Sequence, residues 1–287
     1  MVNILKAARP LNLLIILVAQ ILTSYFLGFK NSWPIVFDLM HSSIYLTSIL
    51  AAAFGYVFND YMDVKADGIN RPTAHYLANP TDRSRALFFA ILSAALAIGI
   101  GFVYDPKLGL FISLVVTLLF FYSLLLKRIP LVGNFTIALL AGFSIFMLMA
   151  FDPNLIENLV IIFSINAFAI HFIREVVKDT EDMEGDRIAG YNTFPLLTGI
   201  KATRILIMFF LFLYILVFTI CIRMMMVNYF TPPLSYVFLA YNILCVGWPL
   251  FHLLSKIQVA ADKEDYTYMS SVARYVMITG TASMLLF

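Results

Sequence analysis

FNDYMDVKADGINRP, Phe58–Pro72, follows directly on the apolar run Leu39–Phe58. Within it Asp60, Asp63 and Asp67 form the pattern Asp-x-x-Asp-x-x-x-Asp. The same spacing returns in KDTEDMEGDR, Lys178–Arg187, at Asp179, Asp182 and Asp186, again behind an apolar run. Three carboxylates at the rim of a greasy stretch, twice in one chain, are the pattern from which fold and chemistry can both be read.

The chain around these motifs has 287 residues, 62% of them hydrophobic and only 13% charged. A soluble domain carries about 25% charged residues, so this chain has too little polar surface to stay dissolved. Its apolar residues come in runs of about 20, the length a helix needs to cross a bilayer. The reading is an all-α, polytopic membrane protein forming a single domain over residues 1–287. A formal net charge of +2 gives no reason to expect a nucleic-acid partner. Cys221 and Cys245 lie in apolar runs, and the four histidines have no ligand spacing on a shared helix face, so no zinc or haem site is expected. MVNILKAARP has the positive flank of a signal peptide, but the apolar run behind it is too long for one and is read as the first membrane helix.

Length and flanking polar residues mark nine candidate spans: Leu11–Gly28, Leu39–Phe58, Ala86–Tyr104, Leu108–Leu126, Leu131–Ala150, Leu155–Val177, Thr203–Val227, Leu234–Leu254 and Met269–Phe287. Threading nine spans places Lys30, Lys107 and Arg223 on one side and the other sixteen of the nineteen Lys and Arg residues opposite. That bias makes the N-terminus and both Asp-rich loops cytoplasmic, with the C-terminus outside.

Spacings of three and seven bring residues to one helix face, so each Asp triplet aligns if its helix runs about two turns beyond the apolar stretch. Carboxylates at a helix C-terminus repel one another and oppose the helix dipole, and a bound cation relieves both. Hard oxygen ligands favour Mg²⁺, which commonly takes one or two carboxylates together with substrate phosphates. Asn59 adds a neutral oxygen. Arg9, Arg71, Lys127, Arg128 and Lys178 surround the same loops and could hold phosphate oxygens that the metal leaves free. The combination points to a diphosphate held by metals at acidic helix ends, beside an apolar interior.

At these residues the chain resembles the UbiA superfamily of intramembrane prenyltransferases. NDYMDVKAD matches that family's first Asp-rich motif, and KDTEDMEGD, running on into GDRIAGYNTFPLLTG, matches the second. YSLLLKR followed by Gly133–Asn134 matches its Tyr- and Lys-containing segment, and Arg9–Pro10 its Arg-Pro entry to the first helix. The resemblance implies nine helices in a ring around a lipid-accessible chamber, Mg²⁺ as cofactor, a polyprenyl diphosphate donor and a lipid-soluble acceptor drawn from the membrane. It implies that Asn59, Asp63, Asp67, Asp182 and Asp186 serve the metal and diphosphate, with Asp60 and Asp179 as partners. Asp63, Asp182, Lys127 and Tyr122 are the expected catalytic set, and Asn59, Arg9, Arg71 and Lys178 the expected substrate-binding set.

NRPTAHYLANP departs from the NRPxRPIPxG run of many relatives, keeping only Asn70, Arg71 and Pro72. KDTEDMEGD is similar to the branch that transfers geranylgeranyl to geranylgeranylglyceryl phosphate, which favours an alcohol acceptor over the aromatic acceptors of quinone biosynthesis. A cation-coupled transporter is the alternative of a different class. Transporter ion sites sit near the bilayer midplane, whereas the expected helix centres here lack ionisable residues and the acids gather at one rim.

Overall fold

The computed structural model describes residues 2–28, 33–70 and 76–287; Lys30 and Arg71 lie outside the described residues. The helices, in chain order, are α1 (Val2–Ala7), α2 (Pro10–Phe26), α3 (Trp33–Val36), α4 (Leu39–Met62), α5 (Val64–Asn70), α6 (Pro80–Tyr104), α7 (Pro106–Leu124), α8 (Val132–Met149), α9 (Glu157–Glu181), α10 (Met183–Ala189), α11 (Phe194–Tyr229), α12 (Leu234–Asn242), α13 (Trp248–Val259) and α14 (Lys263–Ala282). Among the described residues the one β-type pairing is an isolated bridge between Gly28 and Leu155.

Seven helical stretches among the described residues are long and apolar enough to span a membrane: α4, α6, α7, α8, α9, α11 and the run Leu234–Val259. The count of nine is therefore not reached by this criterion. The run expected at Leu11–Gly28 forms α2, apolar but only 17 residues long. The one expected at Met269–Phe287 begins earlier, in α14, whose first turn carries Lys263, Glu264 and Asp265, and it ends in a 3-10 turn at Ser283–Leu286. In α6 and α11 only 28% of the apolar window is buried. Val103 is 89% exposed and Phe88 70%. Outward apolar surface on that scale requires an apolar surrounding, since soluble proteins rarely expose large contiguous patches.

The chain divides into two compact units, each assembled from three stretches. The first comprises Met1–Ile21, Ser32–Thr136 and Glu184–Asn192, and the second Leu22–Asn31, Ile137–Met183 and Thr193–Phe287. In the first, α6 and α7 form a hairpin turning on Asp105 alone. Its N–H donates to Gly101 O at 2.9 Å, and its carboxylate accepts from the Lys107 N–H at 2.6 Å. Pro106 at the first turn of α7 has no N–H to leave unpaired. Gly101 permits the close crossing, because a Cβ there would come 3.0 Å from Gly109 Cα. Gly55 lets α4 settle on Leu119 of α7 in the same way.

In the second unit α9 packs antiparallel to α14. Thr267 Oγ donates to Glu181 at one end at 3.0 Å, and the Phe163 and Phe287 rings meet at the other. Gly142 of α8 lies against Ser164 O of α9, leaving no room for a Cβ. The span Leu234–Val259 contains Pro249, which cannot donate to the carbonyl four residues back. The helix widens there to a π turn at Ile243–Gly247, and Thr279 Oγ1 donates to that orphaned acceptor, Cys245 O, at 2.8 Å.

Candidate active site

Both acidic motifs are built the same way. The long helix α4 ends at Met62, Asp63 stands between helices at φ −92°, ψ 10°, and the seven-residue α5 follows. Likewise α9 ends at Glu181, Asp182 stands at φ −95°, ψ 6°, and the seven-residue α10 follows. Backbone pairing is not lost at the joint: Asp63 N–H donates to Asn59 O at 2.9 Å, Asp67 N–H to Asp63 O at 2.8 Å, and Asp182 N–H to Lys178 O at 2.9 Å. The expected uninterrupted helix is thus replaced by a bend at the middle Asp of each triplet. The bend falls in the sparsely allowed region where active-site residues are often found.

In the first unit the triplet's carboxylates take different partners. Asp60 Oδ1 accepts from Arg9 Nη2 at 2.7 Å. Arg9 itself sits at φ 53°, between α1 and the proline that opens α2, with its guanidinium 5.2 Å from the centre of the Tyr56 ring. A left-handed backbone is uncommon outside glycine, so the ion pair is held at some conformational cost.

Asp63 is the hub. Its Oδ2 accepts from Asn59 Nδ2 at 2.9 Å, and its Oδ1 accepts from the Tyr191 hydroxyl at 2.5 Å and from Lys127 Nζ. Lys127 Nζ also reaches Asn59 Oδ1 at 3.3 Å. The Lys127 side chain is 7% exposed and that of Asp63 13%. Burial pushes the Lys127 ammonium below the ordinary lysine range, and the neighbouring Asp63 charge opposes this without cancelling it. Burial, and then the same Asp63 charge, raise the Tyr191 phenol well above its usual value, so Tyr191 keeps its proton and donates. Lys127 is carried on the 3-10 turn Leu126–Arg128, against which Gly133 packs; a Cβ at Gly133 would lie 2.7 Å from Lys127 Cα.

Asp67 is half-buried on α5 and Asp186 buried on α10, both in the first unit. Lys178, Asp179 and Asp182 are half-buried at the end of α9, in the second unit. Tyr122 is half-buried in the last turn of α7. Among the described residues no three His, Cys, Asp or Glu side chains converge to hold a metal. The donor set, Asn59 with Asp60, Asp63 and Asp67, is nonetheless oxygen-only and suits a hard cation that completes its shell with phosphate and water.

Two features escaped the sequence reading. Tyr191 lies outside both Asp triplets, although its segment follows the second within five residues of Asp186. Arg174 and Glu175 fall within the apolar run Leu155–Val177, yet α9 continues to Glu181 and places this pair two turns inside it. Arg174 Nη1 donates to Glu175 Oε1 at 2.8 Å, with both side chains at least 85% buried.

The UbiA prenyltransferase family profile matches residues 12–271. The digeranylgeranylglyceryl phosphate synthase of Methanosarcina mazei is 37% identical over 179 residues, covering 61% of this chain and 59% of its own length. The synthase of the same name from Methanobrevibacter smithii is 30% identical over 241 residues, covering 82% of this chain and 78% of its own. A solved UbiA homolog from Archaeoglobus fulgidus, bound to GPP and Mg²⁺, superposes with a TM-score of 0.66 at 16% identity, covering 99% of each chain.

Proposed function

The chain belongs to the UbiA prenyltransferase family, and from that premise we propose that it transfers a geranylgeranyl group from its diphosphate to geranylgeranylglyceryl phosphate with Mg²⁺ as cofactor. The observation that carries this reading is the similarity to synthases named for that product. The Asp63 hub is consistent with the chemistry. Asn59, Asp63 and Asp67, with Asp60 beside them, would hold Mg²⁺ at the first motif, and Asp179, Asp182 and Asp186 are the candidates that repeat its spacing in the second. Mg²⁺ supplies Lewis-acid neutralisation of the charge on a leaving diphosphate.

The chain's own residues do the rest. Lys127 presents a buried ammonium to phosphate oxygen, where low dielectric strengthens the attraction. Arg9, Arg71 and Lys178 are further candidates for phosphate contacts, and Tyr122 for positioning the diphosphate. The bond from the prenyl C1 to diphosphate oxygen breaks, the acceptor hydroxyl oxygen forms the new ether bond to C1, and its proton is released. Apolar helices exclude water that would otherwise trap the developing allylic cation.

The surplus of Lys and Arg supports a cytoplasmic face for the N-terminus and the Asp-rich loops, and an outer C-terminus, with the whole chain acting as one domain. The deciding experiment supplies purified protein with labelled geranylgeranyl diphosphate and, as acceptors, geranylgeranylglyceryl phosphate and 1,4-dihydroxy-2-naphthoate, in Mg²⁺ or EDTA. Label in a diether lipid only with Mg²⁺ is expected. Label passing instead to 1,4-dihydroxy-2-naphthoate would overturn the acceptor.

A further inference from the structure

Tyr191 reaches Asp63 through a specific local device. Helix α10 ends at Ala189, and Gly190 turns the chain at φ 75°. Gly190 N–H then donates to Arg187 O at 3.2 Å and Tyr191 N–H to Asp186 O at 2.9 Å. This pair of bonds is a Schellman ending, with glycine in the left-handed position and Tyr191 immediately after it. The motif that carries Asp186 thereby also delivers a phenol to Asp63, 128 residues away in sequence.

We propose that Tyr191 is a positioning residue for the metal and diphosphate site: its hydroxyl fixes Asp63, and its ring fixes the cations beside it. A carboxylate offers about four lone-pair sites. Tyr191 and Lys127 take the two on Oδ1, and Asn59 takes one on Oδ2. One site is left, on Oδ2, so Asp63 would offer a cation that single oxygen while Tyr191 anchors the other. The ring has its own task. Lys127 Nζ lies 5.3 Å from its centroid and the Arg128 guanidinium 5.4 Å, so both cations rest on the same aromatic group. Partners that orient a ligating carboxylate set metal affinity, and losing one costs about 10- to 100-fold.

The inference rests on the Mg²⁺-dependent reading above, and two substitutions in the full chain separate its parts. Tyr191→Phe removes the hydroxyl and keeps the ring, and Tyr191→Leu removes both. Mn²⁺ binding followed by electron paramagnetic resonance, and inorganic diphosphate binding at saturating Mn²⁺, read the two tasks without turnover. Tyr191→Phe is expected to weaken Mn²⁺ binding about 10- to 100-fold and leave diphosphate affinity unchanged. Tyr191→Leu is expected to weaken both. If Tyr191→Phe, shown folded by its thermal transition, binds Mn²⁺ as tightly as the unsubstituted protein, the positioning role is overturned. Absence of Mn²⁺ binding by the unsubstituted protein would instead overturn the metal assignment itself.

Discussion

The Gly185 N–H donates to the Asn70 side-chain oxygen at 2.9 Å, joining α10 to α5 across 115 residues within one unit. Both residues are buried, and a Cβ on Gly185 would overlap the Asn70 amide. The short helix after the first acidic triplet is thereby tied to the short helix after the second. Gly185→Ala is expected to destabilise the protein by about 1–3 kcal/mol through overpacking. It should also lower transfer activity, because Asp67 and Asp186 ride on the two helices being pushed apart. A thermal transition and activity both within error of the unsubstituted protein would show that the contact gives way freely.

Lys127 should be the least replaceable of the basic residues. Lys127→Met leaves Asp63 without its cation in a buried setting and is expected to slow single-turnover transfer at least a hundredfold, about 2.7 kcal/mol in the barrier. Lys127→Arg keeps the charge and should recover part of that loss. Equal rates for Lys127→Met and Lys127→Arg would mean that charge at this position is immaterial.

Asp60 and Asp63 are equivalent by spacing but not by partners. Asp60→Asn disturbs one ion pair with Arg9, itself partly exposed, and weakens one oxygen of the proposed metal set, and is expected to cost roughly tenfold in activity, about 1.4 kcal/mol. Asp63→Asn disrupts three contacts and a metal ligand, and should reduce activity below detection. The ranking is checked by assaying both variants at the same protein level in membranes, and the reverse order would contradict the assignment of Asp63 as hub.

Within α9, Glu175→Leu leaves the Arg174 guanidinium buried without its carboxylate. Breaking such a pair on one side costs about 3–5 kcal/mol, so Glu175→Leu should lower the thermal transition markedly. Arg174→Met with Glu175→Leu together should be less damaging than Glu175→Leu alone. A double variant no more stable than the single one would refute the pairing as the source of the loss.

Metal and donor should bind the folded protein and stabilise it together. At a hundred times the dissociation constant a ligand contributes about 2.7 kcal/mol. Mg²⁺ with geranylgeranyl diphosphate should therefore raise the transition temperature, and EDTA should reverse the rise. An EDTA-insensitive shift would point to a metal-independent mode of donor binding.

Much of this protein was legible in its residue order. Apolar runs near the length of a bilayer crossing locate seven of the nine expected spans, because a backbone in lipid must satisfy its hydrogen bonds within its own segment. The repeated acid spacing locates two equivalent helix ends. Span limits at the chain's two extremities were less legible, since hydropathy does not say where a helix starts. Helix α14 begins in a charged turn because Asp262 caps it, its side chain accepting from the Asp265 N–H at 3.0 Å.

What the order of residues left open was the partner of each carboxylate. Spacing of three and seven would put Asp60, Asp63 and Asp67 on one face of an unbroken helix, and nothing in it distinguishes them. Arg9, Lys127 and Tyr191 come from 51, 64 and 128 residues away, and only tertiary packing brings Arg9 to Asp60 and the other two to a single oxygen of Asp63. Periodicity follows from local backbone geometry and so is written along the chain. A buried carboxylate's partners are chosen by which distant side chains packing brings within hydrogen-bond reach.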